Sequence, residues 1–252
     1  MIYIEKISIQ EVHKNESLKP LFKYIETERT PTTIDGVSMR PSYNRMRSDN
    51  RGDTVKLLEK QLLLDAKYTC CFCQDEIIGK SYLLEHFLPQ SLYKNNEVDY
   101  YNLFLCCNNK DQCSDKKGNY IIPKFITHPK CETFFRFTWS GEVLPKCSFA
   151  SLEHCREGLS TLDDIQLEAY STVNILNLNR KKLVDARLEV MNKDNFKRIR
   201  SKSITMKVLK EEWKKRSEVK NGKFVYRFVS MFRSLIEEVR EKKFPNEPSF
   251  YQ

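Results

Sequence analysis

The sequence predicts an α+β fold, mainly helical and organised around a zinc-stabilised module, and three observations carry that expectation. Four cysteines fall in two pairs: Cys70 and Cys73 form a C-x-x-C knuckle, while Cys107 and Cys113 close a second, wider loop. Two thiolate pairs roughly 30 to 40 residues apart suit a tetrahedral Zn²⁺ of the closed, structural kind. Apolar segments of strand character lie between the pairs, and from Ser160 onward the periodicity turns helical.

The elements follow in order. In a first region, residues 1–55, Ile2, Ile4, Ile7 and Ile9 alternate and predict a short strand. The polar stretch from Thr27 to Gly52 predicts an ordered loop or a mobile arm. Asp53 is placed to N-cap a helix carrying Val55, Leu57, Leu58, Gln61, Leu62 and Leu64, which runs into the first knuckle. In a second region, residues 56–125, Lys80 to Phe87 reads as a strand ended by Pro89. Tyr82, Leu84 and His86 share one face, and Leu83, Glu85 and Phe87 the other. Tyr100 to Leu105 is a second apolar piece, and a short helix is expected from Cys113 to about Asn119. The third region, residues 126–252, is a β-leaning connector followed by a basic helical part. Phe134 to Trp139 leans β and is turned by Ser140-Gly141. Asn179 is a candidate N-cap for a helix with Leu183, Arg187, Leu188 and Met191. A final helix is predicted from the stripe Phe224, Val225, Phe228, Val229, Phe232, Leu235, Ile236 and Val239, spaced as a core face.

Composition narrows the function classes. The 252 residues are 31% charged and 40% hydrophobic, enough apolar material for a packed core. No apolar run approaches the roughly 20 residues of a membrane span. The start, Met1 to Lys6, has no basic segment followed by an apolar one, so a cytoplasmic location is expected. Nine cysteines in such a chain argue for reduced thiols and a metal. Cys131, Cys147 and Cys155 lack partner spacing and are expected to be plain thiols, and His13, His128 and His154 ordinary histidines. The net charge of +9 is uneven: residues 180 to 243 hold 21 Lys and Arg against nine Asp and Glu. A polyanion would meet that region first, through Lys197, Arg198, Arg200, Lys202, Lys214, Lys215 and Arg216, with Lys116 and Lys117 beside the last cysteine.

The run Tyr82-Leu-Leu-Glu-His-Phe-Leu-Pro-Gln-Ser91, followed by Asn102 and bracketed by cysteine pairs, resembles an HNH nuclease of the ββα-metal group. Leu58-Glu-Lys-Gln61, Gly141-Glu142-Val143 and Val173 to Asn179, with Leu183 and Arg187 beyond, resemble one branch: the PtuB-like proteins of Septu systems and the retron-associated HNH proteins of bacterial anti-phage defence. The resemblance covers roughly residues 55 to 190 and implies a ββα-metal core, DNA as substrate and a separate partner. That partner would be a PtuA-like ATPase sensor of the SMC or ABC type, or a retron reverse-transcriptase complex. The chain itself has no G-x-x-x-x-G-K-[ST] phosphate loop. Apolar surface around Phe244 to Tyr251 is expected to dock the partner. The HNH spacing also favours Cys107 over Cys106 as a zinc ligand, because Cys107 lies five residues after Asn102.

The expected chemistry is phosphodiester hydrolysis, which needs a base for water and a cation for the developing charge. His86 is the expected base, and Glu85 an oxygen ligand for Mg²⁺ or Mn²⁺. The resemblance implies that Asn102 braces the loop carrying the histidine. The third motif position, usually His or Asn, falls on Ser114, leaving Asp115 or, more weakly, Asp111 to supply a second oxygen. The alternative function is a zinc-stabilised nucleic-acid-binding or adaptor protein without cleavage.

Overall fold

A computed structural model describes residues 1–29, 33–34, 37–38, 41–48, 52–193 and 195–251. Met1 to Ser8 forms no ladder. Alternation fails because Met1, Ile2 and Ile4 are all buried, on both sides of the extended chain; Ile4 N–H donates to Ile126 O (2.7 Å), and Ile7 N–H to the Tyr100 hydroxyl (3.3 Å). Lys6 pegs the segment down: its ammonium reaches Leu103 O (2.7 Å) and Asp65 (3.3 Å) between the Tyr100 and Phe104 rings. Burial lowers this amine to about 8, against the raising pull of Asp65.

The helices α1 (Ile9–Val12) and α2 (Lys19–Arg29) follow, then a minimal hairpin of β1 (Thr33–Ile34) and β2 (Val37–Ser38), and α3 (Tyr43–Ser48). The stretch expected as a loop or arm therefore contains a helix; its residues 30–32, 35–36, 39–40 and 49–51 lie outside the described residues. Helix α4 (Gly52–Asp65) starts two residues earlier than an Asp53 N-cap requires, so Asp53 sits in its first turn, where a carboxylate still favours the positive end of the dipole.

The knuckle Cys70–Cys73 follows α4, and β3 (Tyr82–His86) pairs antiparallel with β4 (Leu103–Cys107), setting Glu85 opposite Phe104 and His86 opposite Leu103. Next come α5 (Ser114–Lys117) and a second hairpin, β5 (Phe135–Phe137) with β6 (Val143–Pro145). Gly141 turns this hairpin at φ +85°, and a Cβ there would meet Val184 O at 3.0 Å. Helices α6 (Leu152–Glu157), α7 (Asp164–Ile175), α8 (Lys181–Lys193) and α9 (Met206–Arg216) lead to a hairpin of β7 (Val219–Lys220) and β8 (Lys223–Phe224), and then α10 (Val229–Lys243).

Two sequence expectations change here. Asn179 does not cap α8; its amide accepts from Val143 N–H (2.7 Å) and donates to Val143 O (2.8 Å), completing the edge of β6. Phe224 and Val225 lie outside the last helix. Asn221 and Gly222 both adopt positive φ, the geometry of a two-residue hairpin turn, and that turn overrides the apolar spacing. The flanking motifs converge: Arg187, 1% exposed, donates to Gly141 O (3.0 Å).

One buried apolar cluster includes residues from Met1 to Val239, among them all six cysteines of the central module. The knuckle is stitched to α10. Phe228 N–H donates to Gln74 O (3.2 Å), Ser230 N–H to Gln74 Oε1 (3.1 Å), and Arg227 pairs with Asp75 (2.7 Å). Among the described residues no helix is long and apolar enough to cross a membrane.

Candidate active site and metal centre

Cys70, Cys73, Cys107 and Cys113 are all buried, and their sulfurs lie within 4.8 Å of one another. Cys70 and Cys113 are 3.9 Å apart, as are Cys73 and Cys107. Four sulfurs about 2.3 Å from one ion in a tetrahedron stand about 3.8 Å apart, so the donor set fits Zn²⁺. Hydrogen bonds from the neighbouring Cys106 and Cys113 thiols hold the Cys107 sulfur down to about 5, which favours the thiolate a metal ligand needs. Tight turns aim these sulfurs: Gln74, Asp111 and Cys113 all take positive φ. Cys71 and Cys106, set aside by spacing, form a second group with Cys70, Cys106 lying 3.6 Å from it. That group has three donors where a closed zinc site needs four, so the four-cysteine set is the complete one.

The hairpin β3–β4 and helix α5 surround His86, half-buried at the end of β3. Its Nε2 lies 2.9 Å from Glu97 O, so Nε2 carries the proton and Nδ1 the lone pair. Nδ1 makes no hydrogen bond to a described residue. Tyr43 meets the imidazole edge-on, ring centroids 5.4 Å apart. Burial is the largest influence on this histidine and pulls its pKa below 6.5, against the raising pull of the Glu97 carbonyl and Glu85.

Asn102 braces the turn after His86. Leu88 N–H donates to its Oδ1 (2.7 Å), and its Nδ2 donates to Leu88 O (3.1 Å) and Asn96 O (3.0 Å). Glu97 does parallel work from the opposite loop, accepting from Tyr43 N–H (2.9 Å), Ser42 Oγ (3.0 Å) and Gln90. Nothing in the motif spacing marked Glu97 or Tyr43, because neither role depends on a fixed offset from the histidine.

The carboxylates expected to hold a divalent ion do not come together. Glu85, on the strand face opposite His86, is buried; Lys117 pairs with its Oε1 at 2.8 Å and Ser114 donates to its Oε2. Asp115 is exposed and accepts Asp111 N–H at 2.7 Å within its own turn. Among the described residues only the cysteine groups have the geometry of a metal site. The residue types suit Mg²⁺ or Mn²⁺, but this arrangement does not.

Lys117 corrects a second expectation. It is fully buried, also donates to His86 O (3.0 Å), and so locks the strand end instead of meeting a polyanion. Arg216 is likewise internal, paired with Glu212 (3.3 Å) and packed over the Phe232 and Tyr226 rings. Lys116, Lys197, Arg198, Arg200, Lys214 and Lys215 are exposed, although Arg198 is paired with Glu212 (2.6 Å) and Arg200 lies over Trp139. The tail expected to dock a partner is folded onto the body: Phe250 stacks on Trp213 with centroids 4.9 Å apart, and Glu237 accepts Phe250 N–H (3.1 Å).

No protein-family model matches the chain, and a search of curated proteins found no match.

Proposed function

We propose that this protein is a zinc-stabilised endonuclease of the HNH type that hydrolyses DNA phosphodiester bonds with His86 as general base. The observation that carries this reading is the tautomer of His86. With Nε2–H committed to Glu97 O, Nδ1 offers its lone pair on a partly exposed edge, and burial keeps the ring neutral near pH 7. A neutral, oriented imidazole takes a proton from a water molecule as that water attacks phosphorus. Asn102 and Lys117 hold the backbone on either side of the histidine, keeping the lone pair aimed. The strand–strand–helix order β3, β4, α5 around a thiol cluster supports the same reading, as does the motif resemblance.

Under this proposal the cysteine site holds Zn²⁺ as a structural ion. The Mg²⁺ or Mn²⁺ of HNH chemistry does not fit the donors as arranged, with Glu85 paired to Lys117 and Asp115 bonded within its own turn. The exposed lysines and arginines after Asn179 would gather the polyanion. An effector role in a Septu-type or retron-type defence system, under an ATPase or reverse-transcriptase partner, belongs to the proposal on the resemblance alone.

The second reading, a nucleic-acid-binding or adaptor protein that does not cleave, is favoured by the sealing of Glu85 between Lys117 and Ser114. Incubating the purified chain with supercoiled plasmid and Mn²⁺, with and without chelator, separates the two. Nicking by the wild type and its loss in His86→Ala support the nuclease. Plasmid retention on a gel without nicking, equal in both proteins, supports the binder.

A further inference from the structure

The sequence gives Cys147 and Cys155 no partner spacing, yet the fold brings their sulfurs to 3.5 Å, far from the four-cysteine centre in chain order. Cys147 lies just after β6 and is partly exposed at the wall of a cavity of ≈ 570 Å³ shared with Arg136 and Gln166. Cys155 is buried inside α6. Arg136 clamps the intervening loop, donating from Nε to Cys147 O (2.9 Å) and from Nη2 to Phe149 O. Ser148 and Ala150 in that loop are exposed, so the Arg136 hydrogen bonds, not packing, are what hold it.

We propose that Cys147 and Cys155 form a reversible thiol–disulfide pair, an oxidation site for hydrogen peroxide that is separate from the metal centre. The exposed Cys147 sulfur, as thiolate, attacks one peroxide oxygen. The O–O bond breaks, hydroxide leaves and takes up a proton, and Cys147 becomes a sulfenic acid. The Cys155 sulfur then attacks the Cys147 sulfur, the S–O bond breaks, and the departing hydroxide leaves as water with the Cys155 proton. In total, two thiols and one peroxide give one disulfide and two waters. The sulfurs must close from 3.5 Å to about 2.05 Å, a movement within reach of side-chain rotation and the exposed loop. Division of labour follows from the surroundings: Cys147 meets the oxidant, while burial, first, and the neighbouring Cys147 push the Cys155 thiol up to about 12, keeping it protonated until Cys147 is oxidised.

The test uses the full zinc-loaded chain. It is treated with hydrogen peroxide, the peroxide is removed, and the chain is alkylated under denaturing conditions and cut with trypsin, which releases both cysteines in one peptide, residues 147–156. The expected result is a peptide lighter by two hydrogens, restored by dithiothreitol, with zinc content unchanged. In Cys155→Ser, Cys147 should be captured by dimedone as a sulfenic-acid adduct; in Cys147→Ser, Cys155 should remain alkylatable. The proposal is overturned if both thiols stay alkylatable at peroxide levels that oxidise glutathione. It is equally overturned if Cys147 gains two or three oxygens beside a free Cys155, or if the disulfide forms only as zinc is lost.

Discussion

The cysteine module and the basic C-terminal third use charge in opposite ways. Around the knuckles, the two carboxylates near His86 are internal and fully partnered: Glu85 with Lys117 and Ser114, and Glu97 with the backbone and side chains of residues 42, 43 and 90. In the C-terminal third the positive excess is mostly at the surface, with Arg216 taken inside and covered by aromatic rings. A buried charge is expensive without a partner, so it reports on architecture; an exposed one is cheap and reports on what approaches from solvent. Counting charges along the chain cannot separate the two kinds.

Removing a zinc ligand should break this contrast most severely. Cys73→Ser or Cys107→Ser should leave the chain insoluble or unfolded, because binding free energy at such a site, on the order of 10 kcal/mol, is folding free energy. Zinc content and thermal melting check this, and Cys106→Ser should keep its zinc. The next largest effect is expected inside the basic region. Arg216→Met strips Glu212 of its buried partner and should cost about 3 kcal/mol in urea denaturation. Lys214→Ala, on the same helix but exposed, should cost almost nothing.

Asn102→Ala leaves Leu88 N–H and two carbonyls without their partner, so it should cost about 2 kcal/mol. It should also remove nicking while zinc stays bound. The pH dependence is subtler. His86 has its pKa lowered by burial, so the unfolded chain binds the proton more readily. Stability from this group is present above 6.5 and is lost as pH falls from there through the folded value. Activity should therefore hold level from pH 8 down to about 6.5 and fall only below it, and His86→Gln should lack the stability slope in that window. The smallest effect belongs to single surface cations. Lys197→Ala or Lys214→Ala should reduce the slope of log affinity against log salt by about 1 each, where Lys116→Ala tests whether the surface beside α5 takes part.

Much of the module was legible because its signals are local. Cysteine spacing, the run around His86 and the position of Asn102 each act over a few residues, and a knuckle or a brace needs little else. The turn after β5 was legible for the same reason, through Ser140-Gly141, although its partner strand β6 was not. What escaped depends on distant partners. Lys117 reads as a surface cation until β3 brings Glu85 and His86 O against it. The Phe250 ring reads as spare apolar surface until α9 presents Trp213. Asn221-Gly222 was a missed local signal, hidden by an apolar stripe that happened to continue across it.

The seam between Gln74, Asp75 and the start of α10 has a consequence for how the fold breathes. The amides of Phe228 and Ser230 are bonded to the residue that directly follows Cys73. Opening the knuckle would release those amides to solvent, so their hydrogen exchange should quicken on chelation together with that of the knuckle itself. A helix more than 150 residues downstream would thus act as a gauge of metal occupancy, readable without any assay of cleavage.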